Sequence, residues 1–316
     1  MLNLNKGYKK RRKNYLVLGE NFYLDNKKEK AIKFFYKALK FSENINTDIE
    51  ILFNIAIIYD EIDKPYESLK VYREILKLDK SKPGAYYGIA IMEERLGNLE
   101  KALDYYYKAI DKDENYDRAY YFAANLHDIM GEQDKAFKLY KKVIELAPED
   151  YHAYNNLGSL YEENGDYNKA KIMLKKSIKI NPKFYRSLFN MGVVEERLGN
   201  NKIALDYYFK ALEFNKEYYY IYLNISAIYI KEEKYKKAIE ILSEGIYENP
   251  YEEDLYYNRA CSYSILNMEE LAIKDIRKIL ILNPNSVSWI KKDIDFNNLY
   301  NNEEFKRILK DYTFNL

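Results

Sequence analysis

A period of 34 residues runs through most of this 316-residue chain and limits what it can fold into. Residues 93–97 read Glu-Glu-Arg-Leu-Gly, and residues 195–199 read the same. Ala102-Leu103-Asp104-Tyr105-Tyr106 returns as Ala204-Leu205-Asp206-Tyr207-Tyr208, so both offsets are 102, three periods of 34. Gly97, Gly131, Gly165 and Gly199 keep the spacing, and Pro148, Pro182, Pro250 and Pro284 follow at 34, 68 and 34. Self-similarity at this period marks a repeat architecture, in which one supersecondary unit stacks on the next. Length alone, at roughly 150 residues per domain, suggests two domains. The repeat replaces them with one continuous array.

The register starts with residues 12–45, passes three extra residues at 46–48, and continues over 49–82, 83–116, 117–150, 151–184, 185–218, 219–252 and 253–286. Position 8 is always small: Gly19, Ala56, Ala90, Ala124, Gly158, Gly192, Ser226, Ala260. Position 20 is small as well: Ala31, Ser68, Ala102, Ala136, Ala170, Ala204, Ala238, Ala272. Two small residues inside apolar 3.6-residue patterns let two helices cross closely. Position 15 carries residues that tolerate a left-handed backbone, namely Asn26, Asp63, the four glycines and Asn267, and so ends the first helix. Glu233 breaks this rule, so a different turn is expected there.

These features resemble the tetratricopeptide repeat family. Its pattern has an aromatic at 4, Leu at 7, Gly or Ala at 8, Tyr at 11, Ala at 20, an aromatic at 24, Ala at 27 and Pro at 32. The fifth repeat matches it with Tyr154, Leu157, Gly158, Tyr161, Ala170, Leu174, Ser177 and Pro182. The fourth has Tyr120, Ala123, Ala124, His127, Ala136, Tyr140, Val143 and Pro148. The resemblance covers residues 12–286 and implies an all-α, right-handed superhelical solenoid of eight helix-turn-helix repeats. Residues 1–11 are expected as a basic N-terminal tail, and residues 287–316 as capping helices over the exposed apolar side of the last repeat. In that cap Trp289 is expected in the core, residues 293–302 as a polar turn, and Phe305, Ile308, Leu309 and Tyr312 as an apolar face.

Composition disfavours chemistry. One cysteine, Cys261, excludes an internal disulfide and a Cys-rich zinc site, and reads as a small buried thiol. His127 and His152 lie 25 residues apart, too far for a metal-binding His-Glu-x-x-His helix. No Gly-rich phosphate loop, catalytic triad, metal set or cofactor motif is expected. No apolar run approaches the roughly 20 residues of a membrane span, and no apolar segment follows the basic start as in a secretory signal. A cytoplasmic, non-enzymatic protein is therefore expected. Lys6, Lys9, Lys10, Arg11, Arg12 and Lys13 crowd the start, leaving 45 basic against 50 acidic residues elsewhere. That mildly acidic body disfavours nucleic acid as the partner.

The resemblance implies that the first helix of each repeat lines an inner face through positions 2, 5, 6, 9, 12 and 13. Position 6 holds Asn54, Gly88, Phe122, Asn156, Asn190, Asn224 and Asn258 from the second repeat on. An asparagine costs about 0.5 kcal/mol against alanine inside a helix, so propensity does not explain the row. An amide offers the donor and acceptor that a peptide unit needs. Inner helices about 10 Å apart match about three residues of extended chain. The row resembles the asparagine ladder of O-linked N-acetylglucosamine transferases, although no transferase domain is expected in the 30 residues after the last repeat. The alternative is an amide satisfied inside the fold.

Position 5 adds a stripe of Phe53, Tyr87, Tyr121, Phe189, Leu223 and Tyr257, suited to holding side chains. Position 2 is basic at Arg118, His152 and Arg186. Positions 12 and 13 are acidic at Asp60, Glu61, Glu94, Asp128, Glu162, Glu163 and Glu196, against Arg95, Arg197 and Lys231. Chaperone-tail clamps of the family are matched by Asn125, Asn156, Asn190 and Arg186, but Tyr121 stands where the clamp needs a lysine and its final arginine is missing. The expected function is a protein-interaction scaffold holding an extended partner segment. Alternatives are a regulatory peptide sensor, or an RNA-associated protein using the basic tail.

Overall fold

The computed structural model describes residues 2–42 and 44–313, with side-chain detail over 7–312 apart from residue 43. Residue 1 of the expected tail and residues 314–316 of the expected cap lie outside the described residues. Among the described residues there are eighteen α-helices, two short 3-10 turns and no strand. The helices follow one another in pairs: α1 (Leu2–Leu24) and α2 (Lys28–Leu39), α3 (Ile45–Glu61) and α4 (Pro65–Leu78), α5 (Pro83–Arg95) and α6 (Leu99–Lys112). Next come α7 (Asp117–Ile129) and α8 (Gln133–Leu146), α9 (Tyr151–Glu163) and α10 (Tyr167–Ile180), α11 (Tyr185–Arg197) and α12 (Asn201–Phe214). Then follow α13 (Tyr220–Lys231) and α14 (Tyr235–Glu248), α15 (Glu253–Ile265) and α16 (Glu269–Leu282), and finally α17 (Val287–Ile290) and α18 (Glu303–Thr313).

Every turn inside the first sixteen helices uses one device. Asn26, Asp63, Gly97, Gly131, Gly165, Gly199, Glu233 and Asn267 all have φ between 55° and 80°. In each, the next residue donates to the carbonyl five residues back to close the helix end, as Asn98 N–H does to the Glu93 carbonyl at 2.8 Å. Glu233 was expected to turn differently. It adopts φ 57° and the same bonds, with Lys234 N–H on the Tyr229 carbonyl at 2.8 Å. Tertiary packing of α13 on α14 holds a residue type that the left-handed backbone disfavours.

Small residues sit where helices cross. Ala56, Ala90, Ala124, Ala136 and Ala170 are fully buried, and Ser68 Oγ donates to the Ala56 carbonyl at 2.8 Å. At Gly192 an added Cβ would lie 2.5 Å from the Tyr208 ring. A larger residue there would force α11 away from α12.

Packing divides the chain into two compact units, residues 1–153 and 154–316. Unit 1 has a core of Phe35, Ile55, Ile75, Ile89 and Met92, continued by Tyr106 and Leu126. Its N-terminus differs from the expected tail: residues 2–11 are the first turns of α1. Arg12 is 5 % exposed; its guanidinium donates to Asp48 Oδ1 at 2.7 Å, Thr47 Oγ1 at 2.9 Å and the Phe41 carbonyl at 3.3 Å. Both side-chain partners stand in the first turn of α3, which the three extra residues 46–48 help to build.

Unit 2 packs Tyr208, Ile225, Leu242 and Leu255, and closes on Ile276, Phe296 and Phe305. Its end corrects two expectations. Trp289 is 58 % exposed, because the four-residue α17 turns Val287 and Ile290 inward, three apart, and leaves Trp289 off that face. The expected polar turn is a 3-10 segment, Ile294–Leu299, that buries Phe296 and Leu299. Among the described residues no helix is long and apolar enough to cross a membrane.

Candidate functional site

In unit 2 the helices α9, α11, α13 and α15 place Asn156, Asn190, Asn224 and Asn258 at half-exposed positions. Three of the four have partners inside the fold. Asn155, buried beside Asn156, is the hub: its carbonyl oxygen accepts from Asn190 Nδ2 at 3.1 Å and Ser187 Oγ at 3.0 Å, and its amide donates to Asn156 Oδ1 at 3.1 Å. With its own proton given to Asn155, Ser187 Oγ accepts from the Ser177 hydroxyl at 2.6 Å. Asn258 donates to the Asp254 carbonyl of its own helix at 2.8 Å. Asn224 makes no hydrogen bond among the described residues, and the Asn190 carbonyl oxygen also keeps its acceptor capacity.

Sequence reasoning missed Asn155. Its signal was a break in the aromatic stripe: position 5 is a ring or leucine in the neighbouring repeats and asparagine here. Two of the remaining stripe residues of unit 2, Phe189 and Tyr257, lean on rings behind them. Phe189 lies between Tyr208 and Tyr218, at 5.7 and 5.2 Å between centroids. Tyr257 meets Phe296 edge-on and donates to Asp293 Oδ2 at 2.5 Å, and burial followed by that bond pushes its phenol well above the usual range. Arg186 is exposed, with Nε 3.2 Å from the Tyr185 hydroxyl.

Unit 1 presents a different face. Asn54 is exposed at the rim of a 440 Å³ cavity lined by Tyr23, Leu24, Phe35, Ile57 and Glu20. Leu24 is 80 % exposed there, an apolar side chain that faces solvent. At position 6, Gly88 is covered by the Tyr72 ring, and Phe122 stacks on Tyr106 with centroids 5.9 Å apart. Tyr87 packs on Tyr116 and Phe122, and Tyr121 on Tyr140 and His152. Asn125 Oδ1 accepts the Tyr140 hydroxyl at 2.5 Å, so that position of the chaperone-type clamp is engaged within the unit.

The expected acidic edge is partly neutralised by the chain itself. Arg95 pairs with Asp60 and, at 2.7 Å, with Asp63, and Arg197 reaches Glu162 at 3.2 Å. Tyr106 donates to Glu94 at 2.7 Å and Tyr208 to Glu196 at 3.0 Å. At position 11, where the family pattern has Tyr, Glu93 and Glu195 are buried, and Asn98 and Asn200 each donate to them at 2.9 Å. Burial opposes the charged form of Glu195, but hydrogen bonds from Lys171 and Asn200 outweigh it and hold its carboxyl below the ordinary value.

Cys261 is buried, and burial followed by the charges of Asp293 and Asp295 pushes its thiol far up. These three side chains bring donor atoms within 4.8 Å of one another, a proximity across the cap that the sequence spacing does not reveal. The Tyr257 hydroxyl and the Cys261 thiol donate to Asp293 Oδ2, at 2.5 and 3.9 Å, inside the unit.

Models of the tetratricopeptide repeat match residues 117–150, 151–184, 219–252 and 253–286, and a second model of that description matches 54–117. The chain belongs to the tetratricopeptide repeat family. Tetratricopeptide repeats build protein–protein interaction scaffolds, and this chain carries such repeats across both units. The curated proteins contain no match. Among solved structures, a tetratricopeptide repeat protein from Parabacteroides merdae is similar with a TM-score of 0.60 at 18 % identity, over 84 % of this chain and 98 % of that one. The hetero-tetramer Cut9–Hcn1 of the APC/C gives 0.60 at 18 % identity, covering 86 % of this chain and 52 % of that one. PilF of Pseudomonas aeruginosa gives 0.57 at 20 % identity, over 67 % and 96 %. At such identities the likeness concerns the tetratricopeptide fold.

Proposed function

We propose that this chain is a non-enzymatic scaffold of the cytoplasm that holds an extended segment of a partner protein along α9, α11, α13 and α15. The asparagine row carries the reading. Asn156, Asn190, Asn224 and Asn258 recur at one position of successive inner helices, and Asn224 keeps its whole amide for a ligand. A peptide backbone offers the matching acceptor and donor at each unit. The hub at Asn155 orients Asn156 and Asn190 beforehand, which lowers the ordering cost of binding. Each bond contributes only about 0.5–1.5 kcal/mol net, so binding is weak and tolerant of side-chain sequence. Arg186 and the half-exposed Phe189 flank the row and add side-chain preference.

The test is a pull-down from lysate with the native chain and the Asn156→Ala/Asn190→Ala/Asn224→Ala/Asn258→Ala variant, both checked for helicity by circular dichroism. Partners held by the native chain and lost by the folded variant support a backbone-reading face. Capture of one identical set by both removes the row from binding.

A further inference from the structure

A second surface of unit 2 is open and strongly polarised. Between α12 and α14 lies a 660 Å³ groove whose apolar wall includes Phe209, Tyr222 and Tyr247 and whose rim includes Glu213, Glu240 and Glu244. Tyr247 is 84 % exposed. The three rim carboxylates make no ion pair among the described residues, and Glu248 below them meets only Lys216, at 3.8 Å. Burial, then the charges of Glu248 and Glu244, push the Tyr222 phenol up to about 12. Glu240, Glu244 and Glu248 follow at one-turn spacing toward the C-terminus of α14, whose last turn has no basic residue. Carboxylates there face the negative end of the helix dipole, an unfavourable placement for α14 alone.

α1 carries the opposite charge. Lys9, Lys10, Arg11 and Lys13 crowd one stretch of it about two to three turns from its N-terminus, with no acid in the first turn. Lys10, Arg11 and Lys13 are exposed and make no ion pair among the described residues, while Arg12 between them is clamped on Asp48. The clamp ties this run to the first turn of α3, so docking it costs less backbone entropy than ordering a free tail.

We propose that the basic first turns of α1 dock into the acid-rimmed aromatic groove between α12 and α14 of a second copy of this chain. Cations spaced along one helix meet carboxylates spaced along the other, and the C-terminal end of α14 gains the positive charge its last turn lacks. Tyr8, 48 % exposed and packed 5.5 Å from Phe41 between ring centroids, supplies apolar contact toward Phe209 and Tyr247 through its open side. The contact joins two different surfaces, so each added copy leaves one groove and one basic helix unused, and assembly is head to tail.

Sedimentation velocity on the full chain tests this across a concentration series, in low salt and in 1 M salt, where the screening length falls to about 3 Å. The native chain is expected to rise above its 37.9 kDa monomer in low salt and return to it in high salt. A Lys10→Gln/Arg11→Gln/Lys13→Gln variant and a Glu213→Gln/Glu240→Gln/Glu244→Gln variant each weaken association at least about tenfold. Mixed together they form a one-to-one pair and nothing larger, since only one groove and one basic helix remain competent. All six side chains are exposed, so unchanged melting curves separate this effect from misfolding. A native chain that stays monomeric throughout overturns the proposal, as does assembly that persists in both variants. Loss of assembly in Lys175→Gln/Lys179→Gln, with the α1 variant unaffected, hands the groove to α10 and overturns it as well.

Discussion

The inner helices of the two units carry one repeat position to opposite ends. In unit 2 position 6 is Asn156, Asn190, Asn224 and Asn258, half-exposed around a polar hub. In unit 1 it is Asn54, Gly88 and Phe122: the glycine lies under Tyr72 and the phenylalanine against Tyr106. A repeat thus settles where a side chain stands, while the second helix behind it settles what that side chain is free to do. The copied segments at residues 93–98 and 195–200 teach the same from the other side. Both bury a glutamate with an asparagine on it at 2.9 Å, yet Glu93 takes Arg73 at 3.3 Å and Glu195 takes Lys171 at 2.6 Å.

The largest test of that comparison uses the buried ion pairs. Arg12→Ala leaves Asp48 in unit 1 with the Ser42 hydroxyl but without its cation, and Arg259→Ala removes the two-pronged contact, at 2.7 and 2.8 Å, that holds Asp275 in unit 2. Each should cost about 3–5 kcal/mol. Hydrogen exchange should show the loss confined to the unit that carries the change; equal loosening of both would mean that they unfold as one. Glu195→Gln comes next, at about 1.5–3 kcal/mol for a charge-assisted hydrogen bond, and Glu93→Gln should cost less. Because the folded Glu195 value is depressed, its contribution is present above the ordinary glutamate range near 4.5 and disappears as pH falls below it. Urea titrations should therefore separate native and Glu195→Gln by more at pH 7 than at pH 3.

Smaller effects sharpen the picture. Glu233→Gly should stabilise unit 2 by about 1–2 kcal/mol, the left-handed penalty of a side chain, and no gain in melting temperature would show that Glu233 has an offsetting contact. Asn190→Ala should cost about 0.5–1.5 kcal/mol by depriving Asn155 of a donor. Asn224→Ala should stay within about 0.5 kcal/mol of native, as for a surface position without partners. Equal losses at both would put the whole row inside the fold.

Much of this was legible in the sequence because a 34-residue period carries its own cross-checks. Small residues at positions 8 and 20 and turn residues at position 15 name the crossings and the turns before any coordinate is known. The row of asparagines was visible for the same reason. Its internal bonding was not, since Asn155 and Asn190 are 35 residues apart and meet only when α9 lies beside α11. Glu233 and Trp289 misled because residue type weighs less than context: packing imposes the turn on the first, and a four-residue helix has too little inner face for the second.

Periodicity by itself thus determined the all-helical fold, the places of the turns and the positions that could face a partner, because these follow from local backbone preference repeated many times. Tertiary structure alone decided that Arg12 is buried, that Gly88 is covered while Asn224 is open, and that Cys261 faces two carboxylates. Those outcomes depend on which side chain a neighbouring helix brings across, and a period shared by every repeat does not carry that information.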